Sequence, residues 1–149
     1  MEFQQNELLA DFSGSILMLK LNRPEQRNAL TFEMYKKISE FCQRAGTELD
    51  DKGIRAIVIS GAGEKAFAAG TDIGQFTSFE TLQDGYDYEA QIEVVISSIE
   101  TCRVPVIAAL HGAVTGGGLI IAAAAHLRLA SADAVSYTHL RAHETELHR

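Results

Sequence analysis

The 149-residue chain has no tryptophan, two prolines and two cysteines. Cys42 and Cys102 are too few for a thiolate metal cluster or a disulfide framework, so both read as reduced core residues in a reducing compartment. No apolar run has membrane-spanning length: the longest, Leu119 to Ala125, falls far short of the roughly 18–20 residues that a span needs. The N-terminus, MEFQQNELLADF, has neither the apolar run of a secretory signal nor the arginines of a transit peptide. A soluble, cytoplasmic protein with no membrane partner is expected. Positive charge is also scarce, 13 Lys and Arg against 20 Asp and Glu, for a formal charge of −7. An acidic surface repels phosphate backbones, which argues against nucleic acid as the main partner and leaves a local basic patch as the way to hold an anionic ligand.

What is present is a hydrophobic fraction of 46%, enough to fill the core of one domain. Ile16 to Leu21 reads as a strand with Leu17, Leu19 and Leu21 on one face, ended by Asn22-Arg23-Pro24. A helix follows with Thr31 as N-cap, its apolar positions Tyr35, Ile38, Phe41, Cys42, Ala45 and Leu49 recurring at helical spacing. Ile54 to Ser60 is a second strand, and its Ile57-Val58-Ile59 run suits a parallel sheet buried on both faces. After a long loop, Gly61 to Gly74, a second helix is expected over Glu80 to Thr101, with Leu82, Tyr86, Ile92, Val95, Ile96 and Ile99 inside. Pro105 to Leu110 is a third strand. A third helix, Leu119 to Ala125, is apolar all round and reads as fully buried, and Leu127 to Ala130 is a fourth strand. Strands alternating with helices define an α/β fold with parallel pairing.

The segment from Val135 to Arg149 departs from this pattern. It has no glycine and no apolar run that continues the sheet. His139, His143 and His148, spaced by four and five residues, admit a reading as metal ligands on a helix. The segment looks more like translated adapter or vector sequence and is set outside the fold as a non-native tail, 135–149. No metal is expected.

Two glycine-rich segments can hold a ligand. Gly61-Ala62-Gly63-Glu64-Lys65-Ala66 matches G-x-G-x-x-A after a strand, but a dinucleotide site needs a helix opening on those glycines, and the following residues lack helical period. Gly116-Gly117-Gly118 opens the third helix. Its uncovered N–H groups and the helix dipole suit an anion or a developing oxyanion, and close helix–sheet packing explains the same glycines equally well.

Taken in order, Leu21-Asn22-Arg23-Pro24 with Asn28-Ala29-Leu30, then Phe67-Ala68-Ala69-Gly70-Thr71-Asp72-Ile73, then Pro105-Val106-Ile107-Ala108-Ala109 and the Gly-Gly-Gly helix start resemble the crotonase (enoyl-CoA hydratase/isomerase) superfamily. The resemblance spans about residues 12–134 and implies crotonase-like repeated β-α units with mostly parallel strands, truncated: 1–134 would be the N-terminal part of such a domain. It implies an enzyme of lyase or isomerase type in fatty acid metabolism, with an acyl-CoA thioester as partner, no cofactor beyond the coenzyme A of the substrate, and a homo-trimer or hexamer.

By the same resemblance the backbone N–H groups of Thr71 and Gly117 form an oxyanion hole for the thioester enolate. One pre-organised donor of this kind is worth about 2.7–4 kcal/mol of transition-state stabilisation. A backbone donor tolerates Thr71 where the family often has alanine. Ala69, Asp72 and Ile73 would line the acyl-CoA cleft, although Asp72 can instead satisfy nearby loop N–H groups. Arg23, Arg27 and Lys65 are the candidates for the CoA phosphates, with solvated surface cations as the alternative. The departures concern the carboxylates. Family hydratases carry a glutamate three residues after the central glycine, where Ile120 stands and cannot transfer a proton. The stretch bearing a second glutamate is replaced from Val135 onward, and neither Glu144 nor Glu146 has the surrounding motif. A one-carboxylate isomerase or another enolate-forming reaction then suits the sequence better than a two-glutamate hydratase. A non-catalytic acyl-CoA-binding or assembly subunit is the alternative, and a dinucleotide-binding module a more distant one. The 149-residue chain by itself is expected to be inactive.

Overall fold

A computed structural model describes residues 6–136. The elements, in chain order, are β1 (Leu8–Ser13), β2 (Ile16–Leu21), α1 (Phe32–Arg44), β3 (Ala56–Gly61), β4 (Ala66–Ala69), α2 (Leu82–Glu100), β5 (Val106–Leu110), β6 (Ala113–Thr115), α3 (Gly117–Ala124), β7 (Leu127–Ala130) and β8 (Val135–Ser136). Five strands form one sheet in the order β1-β2-β3-β5-β7, and three form a second in the order β4-β6-β8. β1 and β2 pair antiparallel and every other pair of strands is parallel. From β3 onward the chain repeats one unit: a strand of the large sheet, a short strand of the small sheet, then, in the first two repeats, a helix. The expected α/β architecture with mostly parallel strands is therefore present.

The core lies where the sequence pattern places it. Leu17, Leu19 and Leu21 of β2 and Ile57 and Ile59 of β3 are fully buried, and parallel register sets Leu17 beside Ile57 and Leu19 beside Ile59. Thr31 caps α1 as expected: its Oγ1 accepts from the Met34 N–H at 3.2 Å. Helices α1 and α2 pack through apolar side chains and one buried polar contact, Ser39 Oγ to Ser98 Oγ at 2.8 Å, which Gln43 Nε2 joins from 3.1 Å. Cys42 and Cys102 are free thiols, the first buried and the second half-buried.

Several expectations are corrected. α1 stops at Arg44 with Ala45 as its C-cap, so Leu49 lies beyond the helix and is exposed. Leu82 and Tyr86 face outward, 84% and 61% exposed; they sit on the first turns of α2, before it reaches α1. α3 begins at Gly117 and buries one side only, through Ile121, Ala122 and Ala124, while Ala123 is exposed and Leu119 and Ile120 are half-buried. An apolar composition on every face did not decide which faces are covered. β1, β4 and β6 carry no period that marks them as strands. β1 is exposed at all but Leu8, whereas Ala66, Phe67 and Ala68 of β4 are buried on both faces. Val135 and Ser136, set outside the fold by sequence, pair with Ala113 and Val114 of β6. His139, His143, His148, Glu144 and Glu146 lie outside the described residues.

Candidate active site

The Gly70-Thr71-Asp72 segment and the Gly116-Gly117-Gly118 helix start meet. The chain leaving β4 passes through Gly70, Thr71 and Asp72, held between two neighbours: Gly70 N–H donates to Thr115 O, Leu30 N–H to Gly70 O and Asp72 N–H to Leu30 O, each at 2.9 Å. This alternation turns the Thr71 amide away from Leu30. On the other side α3 opens at Gly116, whose φ of 52° suits glycine. A Cβ placed on Gly116 would lie 3.0 Å from Gly70 Cα, and one on Gly117 would lie 2.8 Å from Thr71 Oγ1. Among the described residues, the Thr71 and Gly117 amides donate to no backbone or side-chain acceptor. Gly117 N–H, in the first turn of the helix, has no intrahelical partner to take.

Three hydroxyls stand against this junction. Tyr35 of α1 is fully buried, and its Oη lies 2.7 Å from Thr71 Oγ1, which in turn lies 3.3 Å from Tyr88 Oη of α2. Burial pushes the Tyr35 phenol up to about 12 from its ordinary 10, against the Thr71 hydrogen bond, which favours the ionised form. Tyr88 belongs to a cluster of four rings with Phe32, Phe76 and Phe79. Its centroid lies 4.8 Å from that of Phe76 and 5.4 Å from that of Phe32.

The remaining candidates are spread around the junction. Asp72 caps the 3-10 turn Ile73–Ser78 by accepting from Gly74 N–H at 3.0 Å, and its other oxygen takes an ion pair with Arg23 at 2.9 Å. Both the cleft-lining and the loop-satisfying readings were open for Asp72, and the loop contacts are those observed. Arg23 is committed as well, to Asp72, to Glu7 at 3.5 Å and to Ala29 O at 2.7 Å. Arg27 and Lys65 are exposed. Ala69 is half-buried with its N–H on Arg27 O, and Ile73 is 80% exposed. Ile120 sits half-buried on the turn of α3 that follows Gly117.

Sequence reasoning gave no role to Asn28, Tyr35 or Tyr88. Buried Asn28 ties two segments together, its own turn and the β3–β4 connection: Oδ1 accepts from Arg23 N–H at 2.9 Å, and Nδ2 donates to Ala62 O at 2.9 Å and Ala66 O at 2.8 Å. Tyr35 was legible as a core position, but nothing in helical spacing indicates that its hydroxyl meets Thr71. The Gly61-Ala62-Gly63 motif runs into β4, and no helix opens on it, so the phosphate-binding geometry of a dinucleotide fold is missing there. Among the described residues, no group of three or more His, Cys, Asp or Glu side chains is placed to hold a metal ion. No helix in that range is long and apolar enough to cross a membrane.

Small parallel strands set against a larger sheet, with a glycine-opened helix meeting the end of a short strand, define a class of fold that comparison with known proteins makes specific. The family model described as enoyl-CoA hydratase/isomerase matches residues 11–143. The short-chain-enoyl-CoA hydratase of Clostridium acetobutylicum is 32% identical over 129 residues, covering 87% of this chain and 48% of that protein. The mitochondrial Δ(3,5)-Δ(2,4)-dienoyl-CoA isomerase of Mus musculus is 35% identical over 130 residues, covering 80% of this chain and 38% of that one. The crystal structure of an enoyl-CoA hydratase/carnithine racemase from Magnetospirillum magneticum superposes with a TM-score of 0.81 at 28% identity, over 93% of this chain and 51% of that one. The chain belongs to the enoyl-CoA hydratase/isomerase family of the crotonase superfamily. It spans about half the length, or less, of the curated relatives it matches.

Proposed function

We propose that the protein binds an acyl-CoA thioester with its carbonyl oxygen between the Thr71 and Gly117 amides and stabilises the enolate that forms there. The observation that carries this reading is the meeting of the two segments, with neither amide taken by another acceptor among the described residues. A thioester α-proton is too weakly acidic for ordinary bases. Two fixed donors aimed at the oxygen lower the barrier by stabilising negative charge as it develops, and they need no reorganisation. The helix dipole of α3 adds to this at Gly117.

Ile120 favours an isomerase or another enolate-forming reaction over a two-glutamate hydratase, because an aliphatic side chain stands where a hydratase carboxylate would activate water. Arg27 and Lys65, both exposed, are the cations open to the CoA phosphates. Arg23 acts mainly by bracing Asp72, and Asp72 and Ala69 shape the cleft through their backbone. Calorimetry of the full-length protein with butyryl-CoA and with NAD tests the reading. Binding of butyryl-CoA with no NAD response is expected; NAD binding without a CoA response overturns it. Gly117→Pro, which deletes one donor, should abolish turnover.

A further inference from the structure

We propose that Tyr35 is a positioning residue that aims the Thr71 amide by holding the Thr71 side chain, an inference that rests on the oxyanion reading above. Tyr35 is rooted in the core by complete burial of its ring. Among the described residues its hydroxyl has one hydrogen-bond partner, Thr71 Oγ1 at 2.7 Å. A buried hydroxyl left without a partner is costly, so this bond is enforced. The peptide that carries the Thr71 N–H follows Gly70, which has a φ of 92° and nothing within 4 Å of its would-be Cβ. That peptide is held at its carbonyl by Leu30 N–H and through the threonine hydroxyl by Tyr35, while the flanking Gly70 and Asp72 amides bond to Thr115 O and Leu30 O. The phenol oxygen also touches the opposite donor segment, since a Cβ on Gly117 would meet it at 2.1 Å. One oxygen thus sets the Thr71 side of the site against the Gly117 side. Tyr88, 3.3 Å from Thr71 Oγ1 on the aromatic side, is the second neighbour of that hydroxyl.

Tyr35→Phe removes this oxygen and preserves the ring. The measurement is the infrared stretch of the thioester carbonyl of butyryl-CoA bound to the full-length protein, which falls in frequency when both amides polarise it. Butyryl-CoA has no double bond to hydrate, so the readout is free of turnover. Y35F is expected to lose at least about half of the downshift, because small misplacements of a donor have large effects. Its Kd should stay within about threefold of wild type, since most binding comes from the CoA portion. T71V should lose as much, and the double variant no more than either single one. Ser39→Ala, which breaks a buried hydrogen bond elsewhere on α1, should lower the melting temperature and keep the full downshift. A wild-type downshift in Y35F, or an equal loss in S39A, overturns the positioning role and leaves the thioester site standing. Failure of the wild-type protein to bind butyryl-CoA overturns both.

Discussion

Gly117 and Gly118 are neighbours in the first turn of α3 and both are buried, yet what each faces is different. A Cβ on Gly118 would lie 2.1 Å from Ala68 O and 2.8 Å from Ala68 Cβ, in the middle of β4. A Cβ on Gly117 would meet the ends of two side chains, Tyr35 Oη and Thr71 Oγ1. One glycine lets a helix lie against a strand. The other keeps a polar junction clear. Of the two alternatives equally open from the sequence, close packing holds at Gly118, and ligand binding is proposed at Gly117 alone.

The largest expected effect separates the two at once. Gly118→Ala pushes against backbone that cannot yield, and should cost at least about 3 kcal/mol in urea denaturation. A loss below about 1 kcal/mol would show that β4 and α3 are free to part.

Next comes alkaline pH. Tyr35 is raised to about 12 when folded, so its neutral phenol favours the native state fully below pH 10. That contribution is lost as pH rises through 12, because the unfolded chain releases its proton first. About 2–3 kcal/mol should disappear over this window. Y35F should lack that part of the decline when stability is followed by denaturant titration at successive pH values.

Gly117→Ala should follow at about 2 kcal/mol, because the new methyl meets side-chain hydroxyls and not backbone. In a Y35F background the same change should be better tolerated, because the closest atom is gone. Equal losses in both backgrounds would remove Tyr35 from contact with Gly117. The smallest effect belongs to Ser39→Ala, about 1 kcal/mol, because Ser98 keeps Gln43 and Val94 O as partners.

The centre of the large sheet was legible because β2, β3 and β5 each bury at least one face. Leu17, Leu19 and Leu21 alternate, and Ile57 to Ile59 do not need to. The small sheet was hidden. β4, β6 and β8 are short, and the glycines flanking β4 and β6 make those two resemble loops; the pairing of all three is decided by partners distant in sequence. Leu49, Leu82 and Tyr86 fit a helical period and still face water, because periodicity records which side of a helix an apolar residue is on and not where the neighbouring helix ends. Of the candidate site, Thr71 and Gly117 were reached only through resemblance to a family. Physical spacing placed glycines at a helix start and left their purpose open. The hydroxyls of Tyr35 and Tyr88 left no mark in the pattern, since tyrosine fills a core position whether or not its oxygen has work to do.

Asn28 joins the turn after β2 to both ends of the segment between β3 and β4, from a left-handed backbone with φ of 55°. The two stretches are thereby geared together: lengthening either one by a single residue would carry a carbonyl or an amide out of reach of the same carboxamide. A graft of the Thr71-bearing segment onto another scaffold should therefore travel with residues 23–30, and it should fail if moved alone.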